Sequence, residues 1–209
     1  GVVAARETLP DFVDTSTSYP VQWVTGDGSE GQALKIQDAE LPLTWDARTG
    51  FVLECSMASP GGSFNKYVFY RTYAGSGYLG FSNTWGTIRM WNGKWNYGRY
   101  EIKGNRVTAN DKHRFELSAD GNCLVDGELF GTTEKVNPTS TYKYDLQILL
   151  KMESYFWTDP IYRFKITHED VVQADFQPWY DNGIYGFKEL LSGKFFGNEH
   201  IVGRGRLKM

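Results

Sequence analysis

The chain has 209 residues, of which 41% are hydrophobic, 16% aromatic and 22% charged, a length that lets a folded chain bury about 70% of its unfolded surface. Lys and Arg number 22 against 25 Asp and Glu, a net charge of -3, so no surplus of cations exists to displace counterions from a phosphate backbone, and nucleic acid is not an expected partner. No segment offers the ~18 consecutive apolar residues of a membrane-spanning helix, and the apolar fraction excludes a mainly disordered chain.

Residues 1–20 carry Pro10, Pro20 and the run Asp14-Thr15-Ser16-Thr17-Ser18, a composition suited to an arm or linker. The first residue is Gly1 and no charged-then-apolar leader follows, so any targeting signal is expected to have been removed beforehand. From Phe51 the dominant period is two. Phe51, Leu53, Cys55 and Met57 fall on one side and Val52, Glu54 and Ser56 on the other, which predicts a half-buried strand. The same alternation recurs at Phe115 and Leu117, at Leu146, Ile148 and Leu150, and at Tyr162, Phe164 and Ile166, and no window shows a helical stripe. Asn92-Gly93, Asp120-Gly121, Asp126-Gly127, Asn182-Gly183 and Ser192-Gly193 supply the positive φ that tight turns need. Short strands with such punctuation predict an all-β, antiparallel sandwich or barrel over residues 21–200. Residues 201–209, with Gly203-Arg204-Gly205-Arg206, read as a loose basic tail.

Three segments carry a family resemblance. His113-Arg114-Phe115-Glu116-Leu117 is followed by Cys123-Leu124-Val125-Asp126-Gly127; Tyr162-Arg163-Phe164-Lys165-Ile166 is followed by Asp175-Phe176-Gln177-Pro178; and Gly186-Phe187-Lys188-Glu189-Leu190-Leu191-Ser192-Gly193-Lys194-Phe195-Phe196-Gly197-Asn198 closes the series. In this order they resemble the LamG-like, concanavalin A-like jelly rolls of bacterial surface proteins and of phage tail or minor structural proteins, with Lys188 and Glu189 departing from the aromatic and aspartate usual there. The resemblance implies a two-sheet jelly roll, extracellular, on a cell surface or exposed on a virion, that often binds carbohydrate. The residues themselves read the closing segment as a hairpin turning at Ser192-Gly193 and tucking Phe195 and Phe196 onto the sandwich.

Recognition is expected between Tyr78 and Tyr100, where Trp85, Trp91 and Trp95 cluster. A two-residue turn at Asn92-Gly93 places Met90 opposite Trp95 and Ile88 opposite Tyr97 on an apolar face, leaving Arg89, Trp91, Lys94 and Asn96 on the other. An indole beside amide and cationic donors suits a pyranose, whose C–H face stacks on the ring while its hydroxyls are satisfied. Trp91 is the first candidate and Trp85, in the turn Asn83-Thr84-Trp85-Gly86, the second; the competing reading packs Trp91 beneath another part of the sandwich. Beyond this hairpin, a bulge at Gly98 would return Tyr100 and Ile102 to the core side.

Catalysis is not expected. Glycanases need two convergent carboxylates, and Glu116, Asp120 and the cluster His168-Glu169-Asp170 read as a solvated face and turns. There is no nucleophile elbow and no phosphate loop. Cys55 and Cys123 show neither metal nor redox spacing; Cys55 reads as a small core residue, and a bridge between the two stays open. His113 shares parity with Phe115, which favours a core or edge histidine over a metal ligand. No cofactor, metal or calcium loop is expected. The expected function is therefore a non-catalytic carbohydrate-binding or adhesion module; the alternatives are a structural or interaction domain of a surface or tail protein, contacting other such domains, and a glycanase.

Overall fold

The structure, a computed structural model, describes residues 17–29, 33–62, 66–73, 77–93, 98–134, 145–148, 157–203 and 205–209. Its strands are β1 (Ser18–Pro20), β2 (Thr25–Gly26), β3 (Ala33–Ile36), β4 (Thr49–Cys55), β5 (Lys66–Tyr73), β6 (Gly77–Thr84), β7 (Thr87–Gly93), β8 (Arg99–Lys103) and β9 (His113–Leu117). The second half adds β10 (Asn122–Val125), β11 (Glu128–Thr132), β12 (Leu146–Ile148), β13 (Ile161–His168), β14 (Val171–Asp181), β15 (Ile184–Glu189), β16 (Phe195–Phe196), β17 (Ile201–Val202) and β18 (Leu207–Lys208). One sheet runs β11-β10-β9-β4-β13-β14-β15-β16 with β1 added along β14, a second runs β17-β3-β12-β5-β6-β7-β8, and β18-β2 forms a small third. Every pairing is antiparallel. No described helix is long and apolar enough to cross a membrane.

The two large sheets face each other across a phenylalanine core, making the chain the all-β antiparallel sandwich that its alternation predicts. Phe69 of the second sheet lies 4.8 Å from Phe51 and 4.4 Å from Phe164 of the first, ring centre to ring centre, and Phe81 lies 4.8 Å from Phe115. Phe51, Leu53, Cys55 and Met57 are all buried, as their parity requires. Val52, on the opposite parity, is buried as well, because β4 is flanked on both sides by β9 and β13. On β13 Phe164 and Ile166 are buried as their alternation predicts, but at the start of the strand the register slips between Ile161 and Arg163, so Ile161 enters the core and Tyr162 is left half-buried. Leu150 lies outside the described residues.

Both ends of the fold are tied in. Ser18–Pro20 pairs with β14, and Ile201–Val202 pairs with β3; residues 1–16 lie outside the described residues. The reading of 201–209 as a loose tail is corrected for the stretch that follows as well. Leu207 is buried and its strand pairs with β2, while the Asp27 carboxylate accepts the Arg206 N–H at 2.8 Å and the Ser29 N–H at 2.9 Å. Gly205 makes this approach feasible, since a Cβ there would stand 2.4 Å from Asp27 Oδ1. Cys55 and Cys123 are both buried and form no disulfide with each other, and burial, reinforced by the charge of Asp159, pushes the Cys55 thiol well up.

His113 turns out to be an edge residue with a defined pair of partners. Its Nδ1 lies 2.7 Å from Asp126 Oδ2 and its Nε2 lies 2.9 Å from the Thr108 carbonyl, and both partners accept only, a setting that favours the imidazolium. Burial opposes the charge, but the hydrogen bonds to Asp126 and Thr108 and the charges of Asp126 and Asp111 outweigh it, and the net shift is upward. A pKa raised on folding means stability fully present below the unfolded histidine value, near 6.5, and lost as pH rises through the folded one. Wild type is therefore expected to exceed His113→Asn in stability by more at pH 5.5 than at pH 8.5, and denaturant midpoints at the two values check it; an equal difference would refute the pairing.

Candidate functional site

The predicted recognition stretch folds in a different register. β7 runs straight through Asn92-Gly93, so this dipeptide is strand and not turn. Met90 pairs with Tyr100 and Ile88 with Ile102, and no register shift interrupts β7 and β8, so no bulge at Gly98 is needed. The connection is longer than two residues, and the extra length restores the parity that a two-residue turn would have broken. Trp95, Tyr97, Lys94 and Asn96 lie outside the described residues.

Trp91 does fall on the face opposite Ile88 and Met90, as expected, but it is 1% exposed. It sits opposite Gly80 of β6, and Gly80, Ser82 and Thr84, which share its face, are buried too. The outer surface of β6 and β7 is thus covered, and Trp91 as an open platform is corrected to a packed residue. Arg89, on the same face, is committed to an ion pair with Glu101 at 2.9 Å, which Arg99 shares at 3.1 Å.

Trp85 behaves in the opposite way. It is 67% exposed, the tip of a two-residue turn joining β6 to β7. Its φ is 45° and that of Gly86 is 82°, the two positive values a type I′ hairpin demands. Asn-Gly is the favoured pair for such a turn, and a bulky indole in the left-handed region costs ~1–3 kcal/mol. That unfavourable choice is imposed on a rigid mount. Gly86 N–H donates to the Gly61 carbonyl at 2.9 Å, Gly104 N–H donates to the Gly86 carbonyl at 3.0 Å, and the buried Asn83 side chain accepts from Gly61 N–H at 2.6 Å while donating to the Ser59 carbonyl at 2.8 Å. The backbones meet so closely that a Cβ on Gly104 would stand 2.3 Å from the Pro60 carbonyl oxygen. Exposed Ser59, Lys103 and Asn105 belong to the same three segments.

A second feature, which the sequence does not announce, lies at the other end of the second sheet. A cavity of about 440 Å³ is lined by Lys35, Gln37, Glu40, Asp145, Glu199, His200 and Ile201. It shares Glu199 and His200 with a second cavity of about 220 Å³ that reaches Asp181, Ile184, Phe195 and Asn198. His200 Nε2 lies 3.0 Å from Glu40 Oε1, and Glu40 Oε2 accepts the Gln37 N–H at 3.1 Å; the Gln37 bond first, then His200, holds the Glu40 carboxyl below its usual range. The Lys194 ammonium also donates to the Glu40 carbonyl. Sequence reasoning missed this group because Glu40 and His200 are distant in the chain and meet only through the pairing of β3 with β17.

The acidic residues weighed for catalysis are engaged elsewhere: Glu116 pairs with Arg114 at 2.7 Å, Arg48 bridges Asp120 at 3.9 Å and Glu169 at 3.3 Å, and Glu169 and Asp170 form the β13–β14 turn with φ of 50° and 63°. Among the described residues no three His, Cys, Asp or Glu gather as metal ligands. No protein-family model matches the chain, and no curated protein sequence matches it.

Proposed function

We propose that the chain is a non-catalytic carbohydrate-binding or adhesion module of an extracellular, cell-surface or virion-exposed protein, in which the Trp85 indole stacks on a sugar ring. One observation carries this reading: an indole two-thirds exposed and fixed in a backbone conformation that a tryptophan disfavours. Departures from the best local chemistry concentrate at functional positions, and a preordered aromatic loses little freedom on binding. Polar Ser59, Lys103 and Asn105 nearby suit hydroxyl partners. The antiparallel sandwich and the resemblance of residues 186–198 to LamG-like, concanavalin A-like jelly rolls agree with it.

Trp91's burial favours a second reading, a structural domain of a surface or tail protein that binds no small ligand, since it removes one of the two expected aromatic contacts. A glycan array separates the two. Wild type is expected to give hits that Trp85→Asn loses at least tenfold, while Trp85→Asn melts at or above the wild-type temperature because asparagine suits the left-handed turn. An array without hits at high protein concentration would leave the structural reading, whereas hits that survive Trp85→Asn would overturn the assignment of sugar stacking to Trp85.

A further inference from the structure

We infer that the paired cavities around His200 form a second binding site, separate from Trp85, for an amino sugar or a closely similar hydroxylated primary amine. The chemistry of the walls selects the class. Glu40 is a carboxylate and can only accept, so in the neutral imidazole the proton sits on His200 Nε2, which donates to Glu40, and Nδ1 is left an acceptor. That Nδ1 is buried and has no hydrogen-bond partner, a costly state that a donor from a ligand would relieve. Asp145 and Glu199 line the same cavity, and among the described residues neither side chain engages a hydrogen bond or ion pair. Together with Glu40 and Asp181 they outnumber Lys35, so the lining presents acceptors and negative charge and calls for donors and positive charge.

The remaining wall calls for carbon. Ile201 lines the larger cavity, and Ile184 with the half-buried Phe195 ring lines the smaller. An apolar flank beside a few polar groups is the usual make-up of a small-ligand pocket, and about 440 Å³ lies within the usual range of ~300–1,000 Å³. A simple inorganic cation would use the carboxylates and leave both the apolar flank and Nδ1 unserved, since a metal set is not assembled among the described residues. An amino sugar serves all three: its ammonium matches Asp145 and Glu199, a hydroxyl or N–H donates to His200 Nδ1, and its C–H face lies against Phe195 or the isoleucines.

Calorimetric or heteronuclear NMR titration of the whole chain with D-glucosamine at pH 7, with D-glucose as the uncharged control, tests the assignment. Glucosamine is expected to bind saturably and at least tenfold more tightly than glucose, with shifts at His200 and Glu199. The double variant Asp145→Asn/Glu199→Gln is expected to lose at least tenfold in affinity with an unchanged melting temperature, and Trp85→Asn to lose none. No saturable binding, equal binding of glucose, full retention by the double amide variant, or loss in Trp85→Asn would each overturn it. The last result would move the amine to the Trp85 site, so failure here is distinguishable from failure of the glycan-stacking reading.

Discussion

Glu189→Ala is expected to destabilise the fold by about 3–5 kcal/mol. Glu189 is fully buried, and its carboxylate is satisfied by three backbone donors: Oε1 accepts Asp175 N–H at 3.0 Å and Leu191 N–H at 3.2 Å, and Oε2 accepts Ser192 N–H at 2.6 Å. These bonds clamp the turn after β15 to β14, and Leu190 N–H adds another to the Asp175 carbonyl at 2.9 Å. Alanine leaves three donors without an acceptor, and each such group costs ~1–3 kcal/mol when water cannot reach it. Glu189→Gln keeps one acceptor oxygen but sets an amide NH2 against at least one N–H, so about half the loss is expected. Thermal melts check both; at ~2–4 °C per kcal/mol for a chain of this length, the alanine variant should melt roughly 10 °C lower. A shift under about 2 °C would mean that the carboxylate is dispensable.

Phe69→Ala should be comparably damaging, at about 3–5 kcal/mol, because it removes a buried ring and leaves a cavity that its neighbours fill only in part. Phe69, like Phe81, is a point where the two sheets touch through aromatic rings. It contacts Phe51 and Phe164, Phe51 leads on to Phe81 at 6.3 Å, and Phe164 leads to Phe176 at 5.5 Å and then to Phe196 at 6.1 Å. Phe69→Leu keeps most of the volume and is expected to cost less than half as much. Denaturant unfolding of both variants measures this, and equal losses would show that the ring stacking, rather than the filled volume, holds the sheets together.

Strand alternation made much of this fold legible. Phe51 to Met57, Phe115 with Leu117, and Leu146 with Ile148 point inward as their period-two pattern states, and Asp126-Gly127, Asn182-Gly183 and Gly193 take the positive φ their residue types suggest. The closing hairpin also forms: Phe187 pairs with Phe196, which is buried, although Phe195 stays half-exposed and covers Gly186 and Gly197. Local patterning failed where length or cover decided the outcome. Asn92-Gly93 has the best turn chemistry in its stretch, yet with Ile88 paired to Ile102 the strand runs through this dipeptide, because burying two isoleucines and a methionine outweighs a turn preference. Trp91's parity could be read, but whether its face is open depends on what lies above the sheet, and parity carries no such information. Glu40 and His200 left no local signal, since a contact made by strand pairing at long range has no period.

The division of the tryptophans is the heart of the account: of seven in the chain, Trp85 is assigned to recognition and Trp91 to packing. Trp-indole-labelled NMR measures that division directly, with Trp85→Phe and Trp91→Phe each used to assign one Nε1–H resonance. On titration with an array-selected glycan the Trp85 resonance is expected to move and the Trp91 resonance to stay fixed. Movement of Trp91 with Trp85 unchanged would contradict the account.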